Sequence, residues 1–208
     1  MLVVCAGTHT EVGKTWVGAT VLAELRRRGR TVSARKPAQS FDPADAHLSD
    51  AAMLAAATGE DIEVVCPPER TYDVPMAPPM AAAALGRTVP TLAEMVDALK
   101  WSEPEPQVRW VELVGGPRSP LAADGDGVDL VALLRPDRVV LVADAGLGTI
   151  NAVRLSVAPF ADLGTPALVL LNRYDPEVDL HRRNWAWLTD CLDVPVLTDA
   201  TALADALE

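Results

Sequence analysis

Residues 2–15 read Leu-Val-Val-Cys-Ala-Gly-Thr-His-Thr-Glu-Val-Gly-Lys-Thr, and the way this stretch parses decides the fold. The apolar run 2–6 predicts a buried strand, and residues 7–13 a glycine-bounded turn. From Lys14 to Arg28 the residues Val17, Val21, Leu22 and Leu25 recur at helical spacing and mark one apolar face. A helix that begins at a lysine directly after such a turn puts free backbone N–H groups and the positive end of the helix dipole at one point. That arrangement binds phosphate. The common phosphate loop has glycine, four residues, then Gly-Lys-Ser/Thr, with the lysine on the terminal phosphates and the hydroxyl on Mg²⁺. Gly13, Lys14 and Thr15 fit it, whereas Gly7 stands one place early and Thr8 occupies the usual glycine position. Nucleotide binding is the firmest expectation.

Outward from this loop, short Val- and Leu-rich runs recur at 31–34, 110–114, 138–143, 167–171 and 194–197, mostly separated by segments of helical length. Strands alternating with helices imply right-handed βαβ units, and runs apolar throughout imply burial on both faces. The expected fold is α/β, a doubly wound and mostly parallel sheet with helices on both faces, in one domain over residues 1–208. Residues 66–90 are proline-rich and read as a long excursion with one short alanine-rich helix. Ligands of such sheets bind beyond the carboxyl ends of the strands. Loops starting at Gly7, Lys36, Gly115, Asp144 and Asn172 should therefore share one rim.

The formal net charge of −11 disfavours a nucleic-acid partner, and Arg26, Arg27 and Arg28 read as the last turn of a helix. Three cysteines, Cys5, Cys66 and Cys191, show no CxxC spacing, and His9, His47 and His181 no metal-binding spacing. Reduced thiols and no structural zinc are expected. No apolar run approaches the roughly 20 residues needed to cross a bilayer, so the expected protein is soluble, cytoplasmic and not bound to membranes. The five tryptophans, Trp16, Trp101, Trp110, Trp185 and Trp187, read as core and interface residues.

Mg²⁺ on a nucleotide commonly takes a carboxylate at the end of a neighbouring apolar strand. Glu112 in "RWVELVGG" and Asp144 in "RVVLVADAG" both qualify, and pattern alone slightly prefers Asp144. Asp50, opening the helix in "SDAAML", reads equally as an ordinary helix N-terminal acid. Lys36 ends the second strand with Ser40 nearby, and is either a solvated lysine or the holder of a second anion. Two lysines on one rim suit transfer from a nucleotide to an anionic acceptor.

Taken together, "GTHTEVGKT", "KPAQS", "SDAAML", "PMAPPMAAA", "VELVGG" and "GLGTIN" resemble, in order over about residues 1–175, the motifs of the dethiobiotin synthases, which have a P-loop NTPase fold. The resemblance implies an ATP-dependent ligase that closes a ureido ring from diaminopelargonic acid and CO₂ through a phosphorylated carbamate. It implies Mg²⁺ on Thr15, Asp50 and Glu112, deciding against Asp144. Lys14 and Lys36 would stabilise the carbamate and the transferring phosphoryl group, with Thr10 and Ser40 in the same site. The nucleotide would lie on Glu11, Val12, Gly13, Lys14, Thr15 and Trp16, with Asn172 at the base. The family works as a homodimer, with the diamine's carboxylate at a helix N-terminus that would start near Asn151, led by Leu147, Gly148 and Thr149.

The sequence departs from the family at Leu113 and Val114, where small residues are usual, and these are expected to shift Glu112 or narrow the cleft. Phe41 and His9 also stand where other residues are common. The run Asn172-Arg173-Tyr174-Asp175 approximates the N-K-x-D guanine motif, leaving the base open. Two alternatives remain beside the ligase: a degenerate paralogue with another acceptor, and a partition-type ATPase. Against the second, residues 7–13 lack a signature lysine.

Overall fold

The computed structural model describes residues 1–44 and 49–208; His47 lies outside them. The chain runs β1 (Leu2–Gly7), α1 (Lys14–Arg27), β2 (Val32–Arg35), β3 (Gln39–Ser40), α2 (Asp50–Thr58), α3 (Ile62–Val65), β4 (Thr71–Tyr72), α4 (Pro78–Ala84) and α5 (Leu92–Asp97). It continues through β5 (Val108–Glu112), β6 (Pro120–Ala122), β7 (Gly125–Asp126), α6 (Gly127–Leu134), β8 (Arg138–Asp144), α7 (Thr149–Asp162), β9 (Ala167–Asn172), α8 (Asp179–Cys191), β10 (Val196–Leu197) and α9 (Ala200–Ala206).

All six apolar runs form strands of one parallel sheet, in the order β10-β9-β8-β1-β5-β2. The last is shorter than its apolar run, because Pro195 has no N–H for the ladder; its carbonyl accepts from Val169 N at 2.9 Å. Because the side-chain period of a strand is two, each strand feeds both faces. Val4, Ala6, Val111, Leu141 and Val169 belong to one apolar cluster. Val3, Cys5, Trp110, Val140 and Leu168 belong to the other, packed with α1 and α9. Burial on both faces explains why these strands read as continuous apolar runs.

The excursion at 66–90 holds the expected alanine-rich helix, α4. It also holds β4, which pairs with β3 in the register Gln39↔Thr71 and Ser40↔Tyr72. Two residues of pairing leave no periodicity to read. Of the tryptophans, Trp110 is fully buried in the core and Trp101 half-buried, whereas Trp16, Trp185 and Trp187 are exposed.

Candidate active site

The phosphate loop is held by its own backbone. Thr8 N donates to Val142 O at 2.9 Å, continuing the β1 to β8 ladder past the strand end. Gly7 is a steric requirement: a Cβ there would lie 2.8 Å from Val12 Cγ2. Gly13 caps α1 at φ 90°, and a Cβ would lie 2.2 Å from Asn172 Nδ2, so any other residue would be strained and would displace Asn172. Lys14 is buried, and its Nζ reaches His9 O at 3.3 Å. Burial, and then the neighbouring Lys36, hold its pKa below the ordinary lysine value.

One step away, four side chains from four elements converge. Thr15 Oγ1 lies 2.7 Å from Asp50 Oδ1 and 2.8 Å from Glu112 Oε1. Lys36 Nζ lies 2.6 Å from Asp50 Oδ2, 2.7 Å from Glu112 Oε1 and 3.3 Å from Leu113 O. Glu112 is 0% exposed and Lys36 1%. Burial opposes both charges. For Lys36 the attraction of Asp50 and Glu112 outweighs it and raises the pKa, whereas for Glu112 burial prevails and the carboxyl sits above its usual range. Asp50, also opposed by burial, is brought below its usual range by Lys36 and the Thr15 hydroxyl.

Asp50 owes its place to Ser49, whose Oγ caps α2, and to Gln39, whose Oε1 accepts from Ala51 N at 3.0 Å. Sequence reasoning passed over Gln39. Its signal was position alone, three residues after Lys36.

The cluster also offers a donor set. Thr15 has one hydroxyl proton between two carboxylates, and Glu112 Oε2 is buried with no hydrogen-bond partner among the described residues. Hard oxygen donors with one lone carboxylate oxygen fit Mg²⁺, which takes one or two carboxylates and substrate phosphates. Among the described residues no three His, Cys, Asp or Glu side chains converge. Asp144, which pattern slightly preferred, lies elsewhere: its Oδ1 accepts from Gly146 N at 2.8 Å and its Oδ2 lies 3.5 Å from Arg173 Nη1.

Beyond Gly13 opens a cleft of ≈ 470 Å³ lined by Trp16, Asn172, Tyr174, Thr198 and Asp199, among others. Asn172 is buried and spends its amide N–H on Val12 O at 2.9 Å, which leaves its carbonyl oxygen as the group available to a base. Arg173, which sequence reasoning placed only in the guanine-like run, donates to Glu11 O at 3.1 Å. Asp175 accepts from Glu177 N at 2.8 Å and does not line the cleft, so the likeness to N-K-x-D stops at its first two residues.

On the other side of the loop, Thr8, His9, Thr10, Gly116, Ser119 and Ser156 line a second, more open cavity of ≈ 610 Å³. Ser40 donates to Met76 O at 2.6 Å and is not part of the lysine and carboxylate cluster. The helix expected near Asn151 starts two residues earlier: α7 begins at Thr149 behind a left-handed Gly148, with Leu147 92% exposed and Asn151 exposed in the first turn. A glycine cap lacks the Ser, Asp or Asn that flags a helix start. Leu113 is buried in the core beside Gly127, away from the cleft, and only Val114 is half-buried. The expected intrusion of Leu113 does not occur, and Glu112 stays on Thr15 and Lys36. Phe41 N donates to Tyr72 O at 3.1 Å, prolonging the β3 to β4 pairing.

This parallel sheet, with a lysine-bearing glycine loop between β1 and α1, defines an α/β nucleotide-binding protein of the P-loop class. Residues 2–198 match the family model described as an AAA domain (AAA_26). The chain is 40% identical over 176 residues to the ATP-dependent dethiobiotin synthetase of Anaeromyxobacter dehalogenans (strain 2CP-C), and 35% identical over 178 to that of Caulobacter sp. (strain K31). Each match covers 83% of this chain and 77% of the relative. The chain belongs to the dethiobiotin synthetase family. A plasmid partition protein from Borrelia burgdorferi B31, solved with AMPPNP, superposes with a TM-score of 0.56 over 95% of this chain and 86% of its own, at 12% identity. That likeness is one of fold alone.

Proposed function

We propose that this protein uses ATP and Mg²⁺ to carboxylate 7,8-diaminopelargonic acid with CO₂ and close the ring, giving dethiobiotin, ADP and phosphate. The observation that carries the reading is the convergence of Thr15, Asp50 and Glu112 on the buried Lys36, with the buried Lys14 at the start of the same helix as Thr15, in a chain of this family.

One amine adds to CO₂ and loses a proton, giving a carbamate. A carbamate oxygen then takes the γ-phosphoryl group as the bond to ADP breaks. The second amine attacks the carbonyl carbon, loses its proton, and expels phosphate as the ring closes. Such chemistry asks a protein for position and charge more than for covalent help. Lys14, its charge disfavoured by burial and by Lys36, gains most from an arriving anion, and is the group for the terminal phosphates. Lys36 is poised to turn from its two acids toward the carbamate and the transferring phosphoryl group. Thr15, Asp50 and Glu112 would hold Mg²⁺, which when bound neutralises charge on the phosphates. The nucleotide would run from Glu11–Trp16 into the cleft at Asn172.

The cavity beside Thr10 has room for the diamine, and in this reading Lys36 and Ser40 would meet it there. Its carboxylate would meet the α7 N-terminus, where Thr149 Oγ1 is buried with no partner among the described residues and Gly148 leaves the first turn open. The homodimer of the family is kept as part of the reading. Formation of dethiobiotin from Mg-ATP, bicarbonate and diaminopelargonic acid, followed by mass spectrometry, tests it. Product from wild type and little from Lys36→Ala is expected. No product from a wild type that still binds ATP would mean that the acceptor is another molecule.

A further inference from the structure

The strand ends of β8 and β9 lie side by side in the register Asp144↔Asn172, and from them one short network reaches two different loops. Toward the nucleotide, Asn172 holds Val12 O and the next residue, Arg173, holds Glu11 O at 3.1 Å, so two consecutive donors grip two consecutive carbonyls of the phosphate loop. Toward the acceptor side, Arg173 Nη1 lies 3.5 Å from Asp144 Oδ2, whose other oxygen accepts from Gly146 N in the loop that leads into α7. The far side of that loop is pinned as well: Asn184 Nδ2 donates to Ala145 O and Gly146 O at 2.9 and 2.8 Å.

Glu11 sits at φ 62° and Arg173 at φ 57°, a left-handed backbone that costs a residue with a Cβ about 1 kcal/mol or more. Such a conformation persists where the surroundings hold it. Among the described residues, the side chain that bonds the Glu11 carbonyl is the Arg173 guanidinium. If Glu11 relaxed, the turn that aims the following N–H groups would change with it.

We propose that Arg173, oriented by Asp144, is a positioning residue that sets the phosphate loop and the β8 to α7 loop together, so that the state of one is felt by the other. Among the described residues Asp144 makes no hydrogen bond or ion pair to the phosphate loop, so its route to that loop runs through Arg173. The proposal rests on the ligase reading only for what the second loop binds. The tie itself is tested on nucleotide alone.

The test is a double-mutant cycle on the whole protein, read as the Kd of Mg-ADP by titration calorimetry, with the thermal unfolding midpoint of each variant as a control. Arg173→Ala should weaken Mg-ADP about tenfold, and Asp144→Asn about fivefold, at the scale of ordinary inter-site coupling. In the Arg173→Ala background, Asp144→Asn should add less than about twofold, because its only route is already cut. Arg173→Lys, which keeps a donor and a charge, should regain most of the affinity. An unchanged Kd in Asp144→Asn, or effects of the two substitutions that multiply in full, would overturn the proposal. No step uses the diamine, so a failed dethiobiotin assay would leave this result standing and the two failures separate.

Discussion

At the phosphate end of the nucleotide site, Lys36 and Glu112 are 1% and 0% exposed, and Lys36 faces both Asp50 and Glu112 within 3 Å. At the base end, Asn172 is the one buried polar side chain among those that line the cleft, and Trp16 is 54% exposed. One end is an ion-pair cluster built on two buried charges and the other an open shelf. Charges taken out of water must be matched there, so the phosphate end tolerates almost no substitution, while the base end trades neutral contacts with water. The difference predicts where binding energy and chemistry lie, and three sets of variants test it in order of expected effect.

The largest effect should follow Lys36→Met. Removing the ammonium leaves Glu112 buried without its partner, and breaking such a pair costs about 3–5 kcal/mol. Turnover should fall by about 10³ through loss of a cation beside the transferring group. Adding Glu112→Gln to Lys36→Met should restore most of the stability in urea denaturation with EDTA present, and none of the turnover. Stability that stayed lost in the double variant would mean that Lys36 matters through packing, and the electrostatic account of this end would fall.

Gly13→Ala should come next, since it touches both ends. The new Cβ would meet Asn172 Nδ2 at 2.2 Å on a backbone at φ 90°. ATP affinity should drop by more than tenfold, with a stability loss of about 2 kcal/mol from the backbone conformation and the clash. Combining it with Asn172→Ala removes the clash and keeps the conformational cost. Recovery of about half the stability is expected, and full recovery would show that the left-handed cap itself costs nothing here.

The two ends also differ in how much of them can be read from sequence. Gly13, Lys14, Thr15 and Lys36 lie at strand ends and a helix start, so local pattern finds them, and the six apolar runs place the sheet to within a few residues. Glu112 was only one of two strand-end acids, because nothing local says which neighbour of β1 faces Thr15; the strand order does, with β5 on one side and β8 on the other. Asp50 was legible only through resemblance, since its position depends on Gln39 holding the start of α2 across a gap of 12 residues. Arg173 was read as part of a base motif. Its contact with Glu11 joins positions 162 residues apart and has no trace in local spacing.

The smallest effect is predicted where the sequence most resembles a specificity motif. In a guanine reader, the acid of N-K-x-D must offer a free carboxylate to the base. Asp175 instead closes a turn: its Oδ1 accepts from Glu177 N at 2.8 Å and its backbone N donates to His181 Nδ1 at 3.1 Å. Asp175→Ala should therefore cost about 0.5–1 kcal/mol of stability, as loss of an exposed turn hydrogen bond does. The ratio of ATP to GTP affinity should change by less than twofold. Asn172→Ala, which frees Val12 O and removes the oxygen proposed to meet the base, should weaken both nucleotides about fivefold, as loss of one neutral hydrogen bond does. Calorimetric titration of each variant with both nucleotides decides the matter. A tenfold loss of GTP binding confined to Asp175→Ala would mean that the turn opens when the base arrives, and that the open end of the site is as exacting as the buried one.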